Sequence, residues 1–356
     1  MKDSISKTSD KPTRWLITGG CGFIGTSLIK NLVSEGGHTI RVLDNLSVGT
    51  RQDLSRVCTF SEKGKVKSEK SENPSSLLTS NSSLTELIVG DITDYETCLN
   101  WCQEIDIIVH LAANTGVGPS VEDPRKDMES NVIGTFNMLE AARNNGVKRF
   151  VFASSGAPVG ECEPPIHEEL APHPVSPYGA SKLAGEGYCS AYYRTFGLET
   201  VALRFGNVYG PGSSNKNSVV ARFIKQSMNG EALEIYGDGL QTRDFIYIDD
   251  LIAAIYNAAT LDPLFLAGET FQIATNSETT VCELSKILVN ILNAKGVASV
   301  EIVHAEQRKG DVLRNYSDTT KAEAKLGWNA ETKLETGIRK TVEWFLAGQR
   351  ENRNRM

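Results

Sequence analysis

The run Trp15-Leu-Ile-Thr-Gly-Gly-Cys-Gly-Phe-Ile-Gly25 admits few folds. Its apolar start reads as a buried parallel strand, its glycines as a tight turn, and Phe23 to Ser34 carries helical periodicity. Gly19 permits the turn, Gly22 lets backbone approach a pyrophosphate, and Gly25 lets helix pack closely on strand, with the helix N-terminus facing the phosphates. The spacing is GxxGxxG. A second strand, Thr39-Ile-Arg-Val-Leu-Asp44, ends in an acid suited to the ribose hydroxyls of an adenosine. A carboxylate there repels a 2′-phosphate, which favours NAD over NADP.

A proton-transfer pair follows downstream. Ser155 closes the apolar strand pattern Phe150-Val-Phe-Ala-Ser154, and Tyr178-Gly-Ala-Ser-Lys182 opens a helical one. Residues four apart share a helix face, so Tyr178 and Lys182 can address one ligand. A free phenol has a pKa of about 10, and a nearby ammonium favours its ionised form. An oxidised nicotinamide ring adds a second positive charge. The Ser155 hydroxyl is placed to hydrogen-bond the substrate oxygen that loses or gains the proton. In isolation YxxxK is an ordinary helix pair; after a nucleotide fingerprint and a strand it points to hydride chemistry on an alcohol.

These residues, with Gly90-Asp-Ile-Thr93, His110-Leu-Ala-Ala113, Asn131-Val-Ile-Gly-Thr135, Leu203-Arg-Phe-Gly-Asn-Val-Tyr-Gly-Pro211, Gly237 to Asp250 and Arg308-Lys-Gly-Asp311, resemble the extended short-chain dehydrogenase/reductase family, specifically its NAD-dependent nucleotide-sugar epimerases and dehydratases. The resemblance runs from about Arg14 to Leu346. It implies a cofactor site of Gly19, Gly22, Phe23, Ile24, Gly25, Asp44 and Asn45, with Asp91 and Ile92 flanking the adenine. Leu111, Ala112 and Ala113 would line the cofactor channel, Asn131 would contact the cofactor region, and Tyr178 and Lys182 would complete the site. For the substrate it implies Ser155 on the reacting hydroxyl, Arg243 and Arg308 gripping the diphosphate, and Asn207, Asn217 and Asp311 on sugar, phosphate or ribose. Asn315 matches a position that holds a bulky tyrosine in some epimerases, so its smaller side chain leaves room for an N-acetyl group. UDP-hexoses and UDP-N-acetylhexosamines are the expected substrates.

Within the family, 4,6-dehydratases carry an Asp-Glu pair just after the serine, where this chain has Gly156 and Ala157. Neither transfers a proton, so inversion at C4 through a transient 4-keto sugar is the better reading. A dehydratase or 4-keto reductase is the alternative, and a nonenzymatic NAD-responsive binding protein a third. The usual Val-Tyr-Gly turn is replaced by Ala157-Pro-Val-Gly160, and proline fixes φ and removes a donor, so the loop beside the sugar is expected to differ in shape.

The 356 residues suit a Rossmann-type doubly wound α/β core over about 12–205 and a smaller α/β substrate lobe over about 206–349, interleaved with the last sheet strands. Residues from about 61 to 83, rich in Ser, Lys and Glu, read as a mobile insertion. After Gly206 shorter helices are predicted at Val219 to Met228, Asp249 to Ala259, Val281 to Leu292 and Leu334 to Leu346. Helical patterns at Asp127 to Asn144 and Tyr178 to Thr195 have apolar faces, which the resemblance assigns to a four-helix homodimer interface. A net charge of −7 argues against nucleic acid. No apolar run reaches the roughly 20 residues that span a bilayer, and Met1 to Asp10 lacks the apolar core of a secretory signal, so the cytoplasm is expected. Seven scattered cysteines and five histidines form neither a disulfide framework nor a metal pattern. His110, at a strand end, is expected to be structural.

Overall fold

A computed structural model describes residues 12–63, 84–297, 300–306 and 312–353. Its strands, in chain order, are β1 Thr13–Thr18, β2 His38–Asp44, β3 Ser61–Lys63, β4 Leu84–Val89, β5 Ile107–His110, β6 Arg149–Ser155, β7 Glu199–Phe205, β8 Asn207–Tyr209, β9 Leu233–Tyr236, β10 Thr242–Arg243, β11 Phe245–Tyr247, β12 Glu269–Ile273, β13 Thr279–Thr280 and β14 Ile302–Ala305. Eight form one parallel sheet in the order β12-β7-β6-β5-β1-β2-β4-β3. The others pair as β8 with β11, β9 with β14 and β10 with β13.

Successive strand residues point to opposite sheet faces, and helices cover both. Trp15, Ile17 and Val109 enter one core beneath the helices Phe23–Glu35 and Ile248–Thr260; Leu16, Ile108, Phe150 and Phe152 enter another beneath Gly134–Asn144 and Pro177–Phe196. Burial on both sides explains why these strands read as unbroken apolar runs.

The chain leaves β1 toward β2 on one side, and β5 returns on the other, so the connections at their carboxyl ends diverge and open a crevice. The expected insertion differs at its start: Ser61–Lys63 pairs with β4 as an edge strand, carried there by Ser61↔Glu86 register and a Lys63–Glu86 ion pair of 2.7 Å. Residues 64–83 lie outside those described. The expected Asp127–Asn144 helix begins at Pro124, capped by Asp123 accepting from the Lys126 amide at 3.0 Å, and widens into a π-turn over Glu129–Ile133. Past Phe205, β12 returns to the main sheet beside β7.

Candidate active site

The fingerprint turn is built around backbone contact. Gly19 has φ of 67°, and a β-carbon there would sit 2.8 Å from the Ala112 amide nitrogen. At Gly25 it would sit 2.5 Å from the Gly20 Cα, so helix and turn touch where only glycine fits. The Phe23–Glu35 helix has no side-chain cap at Gly22 and no acid in its first turn, which leaves its amides and positive dipole end free for an anion. Phe23 and Ile24 open that helix. Gly49, absent from the sequence-based set, packs on the Cys21–Gly22 backbone, where a β-carbon would collide.

Asp44 lies at the end of β2, its Oδ2 accepting from the Cys21 amide at 2.9 Å and its Oδ1 from the Leu46 amide at 2.8 Å. Burial pushes this carboxyl up, against those two amide bonds. Asn45 donates to Asp91 at 2.8 Å, and Thr93 donates to the same carboxyl through backbone and hydroxyl. Burial raises Asp91, but these three bonds outweigh it and hold the acid below its ordinary range. Ile92 is buried against Gly134. These groups form one rim of the crevice and Leu111–Ala113 the other; the open helix end, the glycine contacts and the carboxylate fit a dinucleotide with free ribose hydroxyls.

His110 is structural, as expected. Its Nδ1 meets the Thr18 hydroxyl at 2.8 Å and its Nε2 the Thr135 hydroxyl at 3.1 Å, and complete burial pushes the ring down to about 3, so it is neutral. Thr18 also accepts from the Ala112 amide at 3.1 Å, fixing the post-β5 loop to the fingerprint strand. Asn131 fixes the same loop from above: its Oδ1 accepts from the Asn114 amide at 2.8 Å, and its Nδ2 donates to Asn114 O, Asp127 Oδ1 and the Ser181 hydroxyl.

Ser155, Tyr178 and Lys182 converge. Ser176 caps the Pro177–Phe196 helix by accepting from the Gly179 amide at 3.1 Å, with Pro177 in the first turn, so Tyr178 stands at the helix start. The Ser155 hydroxyl is close enough to the Tyr178 phenol to favour its ionised form. The Lys182 ammonium lies 5.9 Å from the Tyr178 ring centroid, 4.9 Å from that of Phe152, and donates to Ala153 O at 2.8 Å. Lys182 is not among the groups that lower the phenol, and the second positive charge expected beside it belongs to a bound nicotinamide. Burial pushes Tyr178 up to about 12, opposed by the Ser155 hydroxyl and reinforced by Asp127. Burial also lowers Lys182 to about 8, against Asp127, Glu186 and Cys189. Positive charge from a bound group would favour the phenolate against both effects.

The 156–160 turn keeps Pro158 and Val159 buried, and the Ala157 amide donates to the Ser155 hydroxyl at 3.2 Å. Space surrounds Gly156, where a β-carbon would meet nothing within 4 Å. Asn207 follows β7, which pairs Phe205 with Ser155, so it lies near the reactive cluster. The Arg243 guanidinium donates to Thr242 O at 2.6 Å and Val312 O at 2.7 Å, and the Asn315 amide donates to the Thr242 hydroxyl at 3.2 Å, bringing these two positions together. Asn217 is exposed and accepts from Lys225 at 3.3 Å. Arg308 and Asp311 lie outside the described residues.

Two groups escaped the sequence reading. Asp127 lies one turn before Asn131, and Glu186 one turn after Lys182. Glu186 accepts from the Ser154 hydroxyl at 2.5 Å and from Arg204 Nε and Nη2, both at 2.8 Å. The i, i+4 spacing to the expected site residues Asn131 and Lys182 was the available signal.

Residues 15–274 match the NAD-dependent epimerase/dehydratase family. A UDP-glucose 4-epimerase of Mycolicibacterium smegmatis is 34% identical over 337 residues, spanning 93% of this chain and 98% of its own length. Among solved structures, the UDP-glucose 4-epimerase of Thermotoga maritima with UDP-glucose superposes with a TM-score of 0.81 at 34% identity, covering 95% of this chain and all of that one (100%). The UDP-N-acetylglucosamine 4-epimerase of Methanobrevibacter ruminantium, in complex with UDP-N-acetylmuramic acid, gives 0.81 at 28% identity over 95% of this chain and 99% of that one.

Proposed function

Because the chain belongs to the NAD-dependent epimerase/dehydratase family, we propose that it is an isomerase that inverts C4 of a UDP-hexose or UDP-N-acetylhexosamine. A bound NAD, held by the glycine turn and Asp44, would supply reversible hydride acceptance at C4 of the sugar. Tyr178 holds the proton of the 4-hydroxyl, taking it on oxidation and giving it back on reduction. Ser155 orients that hydroxyl, and Lys182 supplies fixed positive charge beside the phenol. The glycine turn and the open helix end hold the pyrophosphate, and Asp44 the adenosine ribose. Residues after 206 form the substrate lobe, where Arg243 and Arg308 hold the nucleotide diphosphate and Asn207, Asn217 and Asp311 contact sugar, phosphate or ribose. Asn315 leaves room at the sugar C2.

One observation carries epimerisation over dehydration: the turn after Ser155 offers no carboxyl at Gly156 or Ala157, although Gly156 has open space for a side chain. Elimination of water from a 4-keto sugar needs an acid and a base beside it.

An exposed aromatic patch supports a homodimer. Phe136, Tyr188 and Phe196 are exposed by 37%, 39% and 52%, with Met128 and Ile133 beside them. Their rings pack edge to face, Phe136 to Tyr188 at 5.6 Å, across the two helices expected to pair with a second copy. The cytoplasm is the proposed compartment; no described helix is long and apolar enough to cross a membrane.

The test is incubation with UDP-, dTDP- and GDP-sugars and chromatographic resolution of products. C4 epimers without net NADH release are expected; a 4-keto-6-deoxy product would overturn the proposal in favour of a dehydratase. Tyr178→Phe should abolish turnover with NAD still bound, and full activity of Asn315→Tyr on the acetylated sugar would count against the C2 reading.

A further inference from the structure

We propose that Asp127 is a positioning residue for this site: its buried carboxylate is the charge that balances the Lys182 ammonium. The inference rests on the epimerase reading.

Asp127 is 1% exposed and Lys182 3%. Each is incompletely matched among the described residues. Lys182 has three donors and makes one hydrogen bond, to Ala153 O. Asp127 Oδ1 accepts from Asn131 at 2.9 Å, while its Oδ2 is buried with no partner. The two lie on neighbouring helices, and opposite charges that are buried and short of partners attract with little water to screen them.

Other charged groups around the lysine are already occupied or neutral. The Glu186 carboxylate, on the same helix, is held by Arg204 of β7 and by Ser154 of β6. His110 of β5 is neutral and bonded at both nitrogens, and burial keeps the Cys189 thiol protonated. Asp127 is therefore the carboxylate left to balance Lys182. The helices that carry the two groups are joined beside them: Asn131 bridges Asp127 Oδ1 to the Ser181 hydroxyl at 3.2 Å, next to Lys182 in the chain, and Ser181 donates to Tyr178 O at 3.0 Å. One ammonium and one carboxylate offset each other beside the phenol, and both phenol and lysine respond to the loss of the carboxylate.

The experiment compares wild-type holoenzyme with Asp127→Asn and Asp127→Ser, which remove the charge in two ways. Rates of UDP-glucose and UDP-galactose interconversion are followed against pH, and Tyr178 ionisation is followed as the absorbance difference between each protein and its Tyr178→Phe partner. Loss of a negative charge eases ionisation of the phenol and deprotonation of the lysine, so both limbs of the rate profile and the phenol titration should move down by about one pH unit. Asp127→Glu should restore them. Unmoved limbs and titration in folded, NAD-bound variants would overturn the inference; so would failure of both variants to fold, which would make the carboxylate structural. A wild-type protein that does not epimerise refutes the functional reading alone, because the phenol titration still tests Asp127.

Discussion

Removing Arg204 should strand Glu186. Both side chains are 6% exposed, and the carboxylate accepts two charge-assisted bonds from the guanidinium at 2.8 Å. Hydrogen bonds to charged groups contribute about 1.5–3 kcal/mol each, so their joint loss comes to about 3–6 kcal/mol, in line with the ~3–5 kcal/mol of a buried pair deprived of one partner. Arg204→Met should lower stability by about that much and the melting temperature by roughly 5–10 °C. The pair is itself imperfectly satisfied, since Arg204 Nη1 is buried without a partner. Glu186→Met/Arg204→Met should therefore recover most of the loss, falling short by about 1 kcal/mol for the orphaned Ser154 hydroxyl. The assay is denaturant unfolding of both single variants and the double variant at saturating NAD, closed as a double-mutant cycle. A cost below about 1 kcal/mol for Arg204→Met, or a double variant as unstable as the sum of the singles, would refute this account of the buried pair.

Burial holds His110 neutral with its pKa down to about 3. The unfolded ring takes a proton below about pH 6.5 and the folded ring does not, so this stability is complete above that pH and is lost as pH falls toward the folded value. Between about pH 6 and 4 wild type should lose ~1.4 kcal/mol per pH unit more than His110→Gln in denaturant titrations; equal slopes would show that His110 does not carry the effect. Gly25→Ala places a methyl 2.5 Å from the Gly20 Cα and 2.6 Å from Gly19 O, and should weaken NAD binding by at least ~10-fold in calorimetry. Phe136→Asp should convert a dimer to monomer in sedimentation velocity; an undisturbed dimer would place the interface elsewhere.

The chain's local patterns determined the strand–turn–helix of Trp15 to Glu35, the acid ending β2, and the shared face of Tyr178 and Lys182. Each depends on neighbours within one or two turns, and periodicity reads such neighbours directly. The edge strand Ser61–Lys63 escaped that reading because polar, exposed residues carry no periodic apolar signal, and pairing with β4 alone defines it. The chemistry of the site was decided at longer range. Thr18 meets His110 across 92 residues, Asn131 meets Ser181 across 50, and Arg204 closes on Glu186 across 18. Whether a phenol beside a lysine is raised or lowered depends on how much water the fold removes and which charges it encloses with them. At Tyr178 burial and Asp127 outweigh what the spacing to Lys182 suggests, because desolvation and buried charge belong to the assembled interior rather than to any segment of the chain.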